Sequence, residues 1–165
     1  MIAPCADAAV IAALHHAAVT FAYRGFFPDS PPPTVAQLQA IWVNRLADPT
    51  AAVLLASRGG QPAGSVMARA DPRLGGGQIV GLHVLPSQWG QGVGGALHDA
   101  ALTTLSAAGH RTAGLWVIAA NQRARHMYER RGWVLIPGVE QEDYGVTEVR
   151  YRRELPPPAP GDRPG

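Results

Sequence analysis

The segment SQWGQGVGGALHDA, residues 87–100, places four glycines within six positions and then continues as a helical pattern. Glycine loses more conformational entropy on folding than any other residue, so this concentration indicates a backbone that must carry no side chains. The N–H groups that open a helix are free donors at the positive end of its dipole, and phosphate binds there. The segment therefore predicts a strand, a tight turn and a helix, with a phosphate-bearing ligand at the turn.

Two phosphate-binding patterns can be compared with this turn. A P-loop requires Gly-Lys-Ser/Thr, and the chain contains no lysine, which excludes that kind of site. Gly90, Gly92 and Gly95 fit the dinucleotide pattern G-x-G-x-x-G, but the next predicted strand, TAGLWVIAA, lacks the acidic residue that would bind a ribose hydroxyl. The dinucleotide interpretation stays open at this point. So does a purely structural turn, although one or two glycines would be enough for it.

The rest of the pattern predicts one mixed α/β domain over residues 1–155. Asp7 and Thr34 are placed to cap two helices, which the loop YRGFFPDSPPPT separates. Strands are predicted at AAVLLAS, QPAGSVMAR, QIVGLHVL, TAGLWVIAA, WVLI and TEVRYRREL. The crossover from residues 78–85 to 113–120 through a helix predicts a parallel pair within the sheet. The proline-rich residues 156–165 have no apolar face to bury, so we expect a disordered tail.

The composition favours a cytoplasmic protein that binds neither a metal nor nucleic acid. No basic segment opens the chain, and no apolar run approaches the about 20 residues of a membrane helix. The formal net charge of +2 is too small to predict a nucleic-acid partner, and the single cysteine, Cys5, offers no metal cluster. All 14 basic residues are arginine, which indicates a GC-rich bacterial genome. We expect no membrane partner and allow for a homodimer.

A second motif, NQRARHMYERRGW, lies downstream of the glycines at residues 121–133. Asn121 is placed to cap a helix that Gly132 ends, and Ala124 and Tyr128 share a helical face with Asn121. The two motifs together resemble the signature of the GNAT acetyltransferase superfamily, a Gln/Arg-x-x-Gly-x-Gly/Ala turn followed by Asn-x-x-Ala-x-x-x-Tyr-x-x-x-Gly-aromatic. The resemblance covers about residues 5–155. It implies a mostly antiparallel sheet with a central parallel strand pair, flanked by helices.

The resemblance also implies that acetyl-CoA is the cofactor. Its pyrophosphate would lie on the N–H groups of residues 91–95, and its pantetheine arm would pair with the backbone of Leu82 and Val84. That pairing requires the parallel neighbour, at residues 115–118, to splay away. Trp89 departs from the signature, which has Gln or Arg there, and a side-chain contact is lost that Gln88 or Gln91 could replace. The implied cofactor-binding residues are Leu82, His83, Val84, Trp89, Gly90, Gln91, Gly92, Val93, Gly94, Gly95, Asn121, Ala124 and Tyr128.

Acetyl transfer to an amine needs a neutral amine, a donor for the oxyanion and a proton for the departing thiolate. Tyr128 is the candidate general acid, and a backbone N–H near Val84 is the candidate oxyanion donor. His83 is a candidate general base, directly or through water, because imidazole titrates in the useful range. The acceptor pocket is expected at the first two helices and their loop, with Tyr23, Arg24, Phe26 and Asp29 as candidate substrate-binding residues. Arg150, Arg152 and Arg153 are interpreted as a solvated strand face.

Three functions remain to be compared. The first is N-acetyl transfer from acetyl-CoA to the primary amine of a small molecule by direct attack. The second is acetylation of a protein N-terminus or lysine. The third is a non-catalytic acyl-CoA-binding module, against which Asn121 and Tyr128 argue, because a mere binder has no use for a thiolate acid.

Overall fold

The computed structural model describes residues 1–27 and 29–157, apart from the side chains of Ala22 and Tyr23. The predicted tail at 156–165 therefore lies mostly outside the described residues. The elements in chain order are β1 (Ile2–Pro4), α1 (Ala8–Phe26), α2 (Val35–Leu46), β2 (Ala52–Arg58), β3 (Gln61–Ala70), β4 (Gly77–Val84), α3 (Val93–Ala107), β5 (Thr112–Ile118), α4 (Gln122–Arg130), β6 (Val134–Asp143) and β7 (Val146–Glu154).

The described strands form one mixed sheet in the order β1-β2-β3-β4-β5-β7-β6. The β4–β5 pair is parallel, and every other pair is antiparallel. This confirms the predicted fold class. It also confirms the crossover, since α3 connects the two parallel strands.

Both predicted caps at the first two helices are present. Asp7 Oδ1 accepts hydrogen bonds from the N–H groups of Ala9 (2.9 Å) and Val10 (3.2 Å). Thr34 and Gln37 form a reciprocal capping box at the start of α2. The prediction that a loop begins at Tyr23 was wrong, because α1 continues to Phe26. Residues 21–26 contain one glycine and no proline, so the sequence offers no strong helix breaker there.

Two cores lie on opposite faces of the sheet. On the α3/α4 face, Leu97 and Leu105 of α3 pack with Leu115 of β5 and Tyr151 of β7. On the α1/α2 face, Ile11 and Trp42 pack with Met67 of β3 and other apolar side chains. Each face of the central strands is therefore covered by its own pair of helices.

The parallel strands β4 and β5 separate soon after they meet. Their pairing consists of Gly77 with Ala113 and Gln78 with Gly114. Beyond that point β4 stays paired with β3, whereas β5 stays paired with β7 as far as Ile118. The expected splay is confirmed, and it leaves one edge of β4 without a strand partner.

A β-bulge interrupts β4 within this unpaired stretch. Val80 pairs with Met67 and His83 pairs with Ser65, so two residues of β4 oppose one of β3. Gly81 provides the turn with φ of +62°, which favours glycine. The bulge resets the alternation of side chains, so that Val80 packs on the α1/α2 face and His83, three positions later, contacts α1 on that same face.

Candidate active site

The glycine turn leaves a row of free backbone donors at the start of α3. Gly90 has φ of +73° and Gly92 has φ of +81°, and Gly92 is the N-cap of the helix. The first helical bond runs from the Ala96 N–H to the Gly92 carbonyl at 3.0 Å. Among the described residues, none accepts a hydrogen bond from the N–H groups of residues 91–95. These donors lie at the positive end of the α3 dipole, where an anion is stabilised.

The last two glycines of the turn make room for neighbouring groups. A Cβ at Gly94 would lie 3.4 Å from the Val84 side chain, and one at Gly95 would collide with the Arg131 guanidinium. Arg131 also pairs with Asp99 at 2.9 Å. The first turn of α3 therefore carries a cation beside its free N–H groups, which the sequence pattern did not reveal.

The unpaired edge of β4 presents backbone groups to the splay. The Leu85 N–H bonds the Ala63 carbonyl on the β3 side at 3.0 Å. Because backbone groups alternate along a strand, those of Val84 and Leu82 point the opposite way, toward β5. The Val84 carbonyl is already used by the Trp89 indole N–H at 3.0 Å. The N–H of Val84 and both backbone groups of Leu82 remain to pair with a ligand.

Trp89 connects three parts of the site. Its indole bonds the end of β4, its ring meets Phe21 of α1 edge-on at 5.3 Å, and the Arg123 guanidinium of α4 lies 4.3 Å from its centre. This structural role explains how tryptophan can stand in place of the signature's Gln or Arg. Gln91 is held separately, since it accepts from Arg58 and donates to the Ser87 carbonyl.

Helix α4 places Tyr128 at the α3/α4 face beside the splay. Asn121 caps the helix through a 3.1 Å bond from the Ala124 N–H, as predicted. Tyr128 is 8 % exposed and packs edge-on against Trp133, with ring centres 5.9 Å apart. None of the described residues bonds its hydroxyl. Burial raises the pKa of Tyr128 to about 12. The hydroxyl is therefore protonated at any working pH and has a free hydrogen to donate.

His83 stacks on His15 of α1, with ring centres 3.9 Å apart and planes 21° apart. The Trp42 indole donates to His15 Nδ1 at 3.1 Å, which requires that nitrogen to be unprotonated. Burial lowers the pKa of His83 well below its usual value, with the neighbouring His15 and Arg45 as smaller causes. Burial likewise lowers the pKa of His15 to about 4. Both imidazoles are neutral at pH 7.

Of the predicted acceptor residues whose side chains the structure describes, one lines a cavity and two are exposed. Phe26, now part of α1, lines a cavity of about 350 Å³ at the end of β5, which Ile118 and Val146 also line. Arg24 and Asp29 are exposed. The Tyr23 side chain lies outside the described part of the structure. Phe26 is thus the candidate that the structure brings to the open end of the splay.

One predicted surface position is buried. Arg150 is 3 % exposed and forms an ion pair with Asp71, so its interpretation as part of a solvated face was wrong. Its guanidinium also lies 5.2 Å from the centre of the Trp116 ring. The alternation of TEVRYRREL predicted the strand, but the acidic partner is 79 residues away in the chain and gave no local signal.

Within residues 1–27 and 29–157, no cluster of three His, Cys, Asp or Glu side chains is arranged to hold a metal ion. None of the described helices is long and apolar enough to span a membrane.

Comparisons with known proteins agree with this geometry. The sequence model of the Acetyltransferase (GNAT) family matches residues 13–133, whereas no curated protein sequence matches. An acetyltransferase of the GNAT family from Streptococcus pneumoniae is similar in structure, with 23 % identity, a TM-score of 0.69 and coverage of 94 % of this chain and 99 % of that one. A ribosomal-protein-alanine N-acetyltransferase from Brucella melitensis has 18 % identity, a TM-score of 0.73 and coverage of 94 % and 99 %.

A third similar structure, yncA from Salmonella typhimurium, was solved with its cofactor acetyl-CoA. It has 16 % identity and a TM-score of 0.71, and the match covers 97 % of this chain and 96 % of that one. The TM-scores of these structures show a shared fold, and the family match covers most of the chain. With the glycine turn, the splayed strands and Tyr128 in their expected places, the chain belongs to the acetyltransferase (GNAT) family and is an acyltransferase that uses acetyl-CoA.

Proposed function

We propose that the protein transfers the acetyl group of acetyl-CoA to the primary amine of a small molecule by direct attack. The observation that carries this proposal is the unpaired edge of β4. Leu82 and Val84 offer free backbone groups to the splay, and His83 on the same strand faces the α1/α2 side. A thioester on one side of the strand and an amine on the other would meet at the bulge.

The residues present fit the cofactor. The free N–H groups of 91–95 suit a pyrophosphate, with the guanidinium of Arg131, paired with Asp99, beside them, and the space around Gly90 and Gly92 is open. The cavity lined by Phe26 and Ile118, of about 350 Å³, has the size of a small-molecule site. When bound, acetyl-CoA supplies a thioester carbonyl that an amine can attack.

His83 is the proposed general base. A free alkylamine has a pKa near about 10, so it must lose a proton before or during attack. Stacking on His15 and burial keep His83 neutral, and a neutral imidazole can accept that proton directly or through a water molecule. Protonation of His83 would be opposed by the same burial, which favours onward release of the proton to solvent.

Tyr128 is the proposed acid. Its free hydroxyl can donate a hydrogen bond to the sulfur as negative charge develops there. Full proton transfer is uphill in this environment, because the pKa of Tyr128 is raised to about 12 while that of a thiol is about 8.5. We therefore assign most of its effect to stabilising the thiolate in the transition state.

The test is thiol release from acetyl-CoA with a panel of polyamines, amino acids, aminoglycosides and short peptides, with each product identified by mass spectrometry. Acetylation of one or more small amines supports the proposal. Turnover only with peptides would move the acceptor to proteins. Firm acetyl-CoA binding with no turnover of any acceptor would contradict the proposal and favour a binding module.

A further inference from the structure

A second cavity, of about 280 Å³, opens on the α1/α2 face near the start of β4. Its lining includes two arginines, two glutamines and a tryptophan: Arg69, Arg73, Gln78, Gln141 and Trp116. The function proposed above does not use it. Its chemistry differs from that of the cavity at Phe26, because two guanidinium groups face into it.

Neither of these two arginines contacts a carboxylate directly among the described residues, although the pKa of Asp48 is lowered by hydrogen bonds from Thr50 and, less, by the charge of Arg69. Arg69 Nε donates to the Gln78 amide oxygen at 3.2 Å, and Arg73 Nη1 donates to the Gln141 amide oxygen at a long 3.5 Å. The Gln141 amide nitrogen donates to Glu148 at 2.7 Å, and this bond turns the amide oxygen toward Arg73. Among the described residues, neither arginine forms an ion pair. The glutamines orient the guanidinium groups and leave their charge available.

Asp71, a carboxylate in the lining of this cavity, already has hydrogen-bond partners on both of its oxygens. Asp71 pairs with the buried Arg150 through one oxygen. Through the other it accepts the N–H groups of Arg73 (2.9 Å) and Leu74 (3.0 Å). Arg150 Nη1 is buried without a hydrogen-bond partner among the described residues. Counted with Arg150 and Glu148, which bond residues of the lining, the cavity has three guanidinium groups and three carboxylates, and of these carboxylates Asp71 alone is in an ion pair among the described residues.

The cavity and His83 are on the same face of the sheet. Val80 packs in the α1/α2 core, and Gln78 shares its face because side chains alternate along β4. Trp116 points to this face too, since Leu115 and Val117 beside it belong to the opposite core. Gln78 precedes the bulge at Gly81 by three residues, which is roughly 10 Å along a strand.

We propose that this cavity binds an anionic group, a carboxylate or a phosphate, at the far end of the acceptor. The amine would lie near the bulge and the anion roughly 10 Å away, between Arg69 and Arg73. Trp116 would cover the apolar segment that joins them. This inference rests on the proposed function, and it defines the acceptor class as an extended amine with a distal negative charge.

The test compares matched pairs of acceptors. Primary alkylamines of graded length are assayed with a terminal carboxylate, a terminal phosphate or a neutral terminal amide, in wild type and in Arg69→Gln and Arg73→Gln. We expect one length of anionic acceptor to be preferred over its neutral partner. Each variant is expected to raise KM for that acceptor about tenfold or more, with kcat and the neutral acceptors unchanged, because a charge-assisted bond is lost. Arg111→Gln, at an exposed arginine outside the cavity, is the matched control.

A binding measurement separates this inference from the proposed function. Calorimetry with ω-amino carboxylates and ω-amino phosphates of the same graded lengths, without acetyl-CoA, is expected to show salt-sensitive binding that Arg69→Gln and Arg73→Gln weaken. Such binding without any acetyl transfer would support the cavity and contradict the proposed function. Acetyl transfer that is equal for anionic and neutral acceptors, and unaffected by both variants, would overturn the cavity proposal and leave the proposed function intact. Melting temperatures of the variants exclude a folding defect as the cause.

Discussion

Tyr128 and His83 lie on opposite faces of the sheet at the splay, and the pKa of each is shifted from its usual value. The hydroxyl of Tyr128 is buried beside Trp133, and its pKa is raised to about 12. His83 is stacked on His15, and its pKa is lowered well below the usual value. Burial disfavours the charged form in both cases, so the tyrosine keeps its proton and the histidine stays without one. The tyrosine is therefore in the form that can donate a hydrogen bond and the histidine is in the form that can accept a proton, while the same shifts make each a weaker acid or base than the free side chain.

Tyr128→Phe removes one hydroxyl and keeps the packed ring. We expect kcat to fall about 10- to 100-fold, the low end of general-acid effects, because a thiolate is already a tolerable leaving group. The Kd of acetyl-CoA is expected to change little, since a neutral hydrogen bond contributes only about 0.5–1.5 kcal/mol. Steady-state kinetics and separate calorimetry measure the two quantities. Unchanged kcat would remove Tyr128 from the mechanism, and a large loss of affinity with kcat intact would make it a cofactor contact.

His83→Gln tests the base and keeps a polar side chain of similar length. We expect kcat to fall by about 10²–10⁴-fold if the imidazole accepts the proton. His126→Gln, at an exposed histidine of α4, is the control and is expected to retain activity. In an NMR titration of the wild type, the His83 signal is expected to stay constant from pH 8 to pH 6.5, because its pKa lies below the usual value of 6.5. A midpoint at or above 6.5 would contradict the assignment of a neutral His83.

Among the elements, the unit formed by β4, the glycine turn and α3 is the proposed cofactor site. The strand supplies its free edge, the turn supplies left-handed glycines, and the helix supplies unpaired N–H groups. Each contribution depends on the others, because the helix dipole points at the ligand only if the turn redirects the chain sharply. A change at the turn should therefore affect binding before it affects folding.

Gly92→Glu places a carboxylate at the N-cap of α3. We expect it to abolish acetyl-CoA binding, since the new charge competes for the N–H groups and repels a pyrophosphate. Gly109→Glu is a matched control, because Gly109 also has a left-handed φ of +89° but lies after the other end of the same helix. Calorimetry on both variants, with circular dichroism for folding, makes the comparison. Normal binding by Gly92→Glu would show that the glycines are structural.

These elements differ in how visible they were in the sequence. The caps at Asp7, Thr34 and Asn121 and the glycine turn were predicted because each depends on residues within a few positions. The bulge at Gly81, the His15–His83 stack and the Arg150–Asp71 pair were not, because their partners come from distant parts of the chain. The end of α1 was placed too early because the aromatic run before the prolines was interpreted as a loop.

At the scale of the whole molecule, both pairs of helices cover a sheet whose central strands are only briefly joined. Ligands that bind the folded state and not the unfolded chain stabilise it by an amount that rises with the logarithm of the ratio of ligand concentration to Kd. Protons have the opposite effect at the half-buried imidazoles of His15 and His83, because these groups bind protons more readily in the unfolded chain. Stability is thus expected to respond both to acetyl-CoA and to pH.

Acetyl-CoA or CoA at 100 times its Kd is expected to stabilise the protein by about 2.7 kcal/mol. For a domain of this size that corresponds to a rise in Tm of roughly 5–10 °C. NAD and ATP at the same concentrations are expected to produce no such shift. Differential scanning fluorimetry with all ligands decides the matter, and a comparable shift with NAD alone would revive the dinucleotide interpretation of the turn.

The free energy of unfolding is expected to fall as pH falls from 6.5 toward 4. In this window His15 stays neutral in the folded protein, with a pKa of about 4, while an unfolded histidine with a pKa of 6.5 binds a proton. Burial raises the pKa of Glu148, which acts in the opposite direction, so the comparison must be made between variants. His15→Phe is expected to flatten the dependence in chemical denaturation at several pH values. An identical slope in this variant would contradict the neutral stack.

Because β4 and β5 pair over so few residues, the sheet consists of two halves that are joined by a short hydrogen-bonded contact. Strands β1–β4 form one and strands β5–β7 form the other, and within the sheet the seam between them consists of two residue pairs. Outside the sheet, the core on the α3/α4 face joins the two halves, because Ile79 of β4 and Leu115 of β5 both pack in it. Trp89 follows the end of β4 where the two strands are separated, and its ring contacts Phe21 of α1 and Arg123 of α4. At this end of the cleft, the packing between the two halves therefore passes through one indole ring that lies outside the sheet.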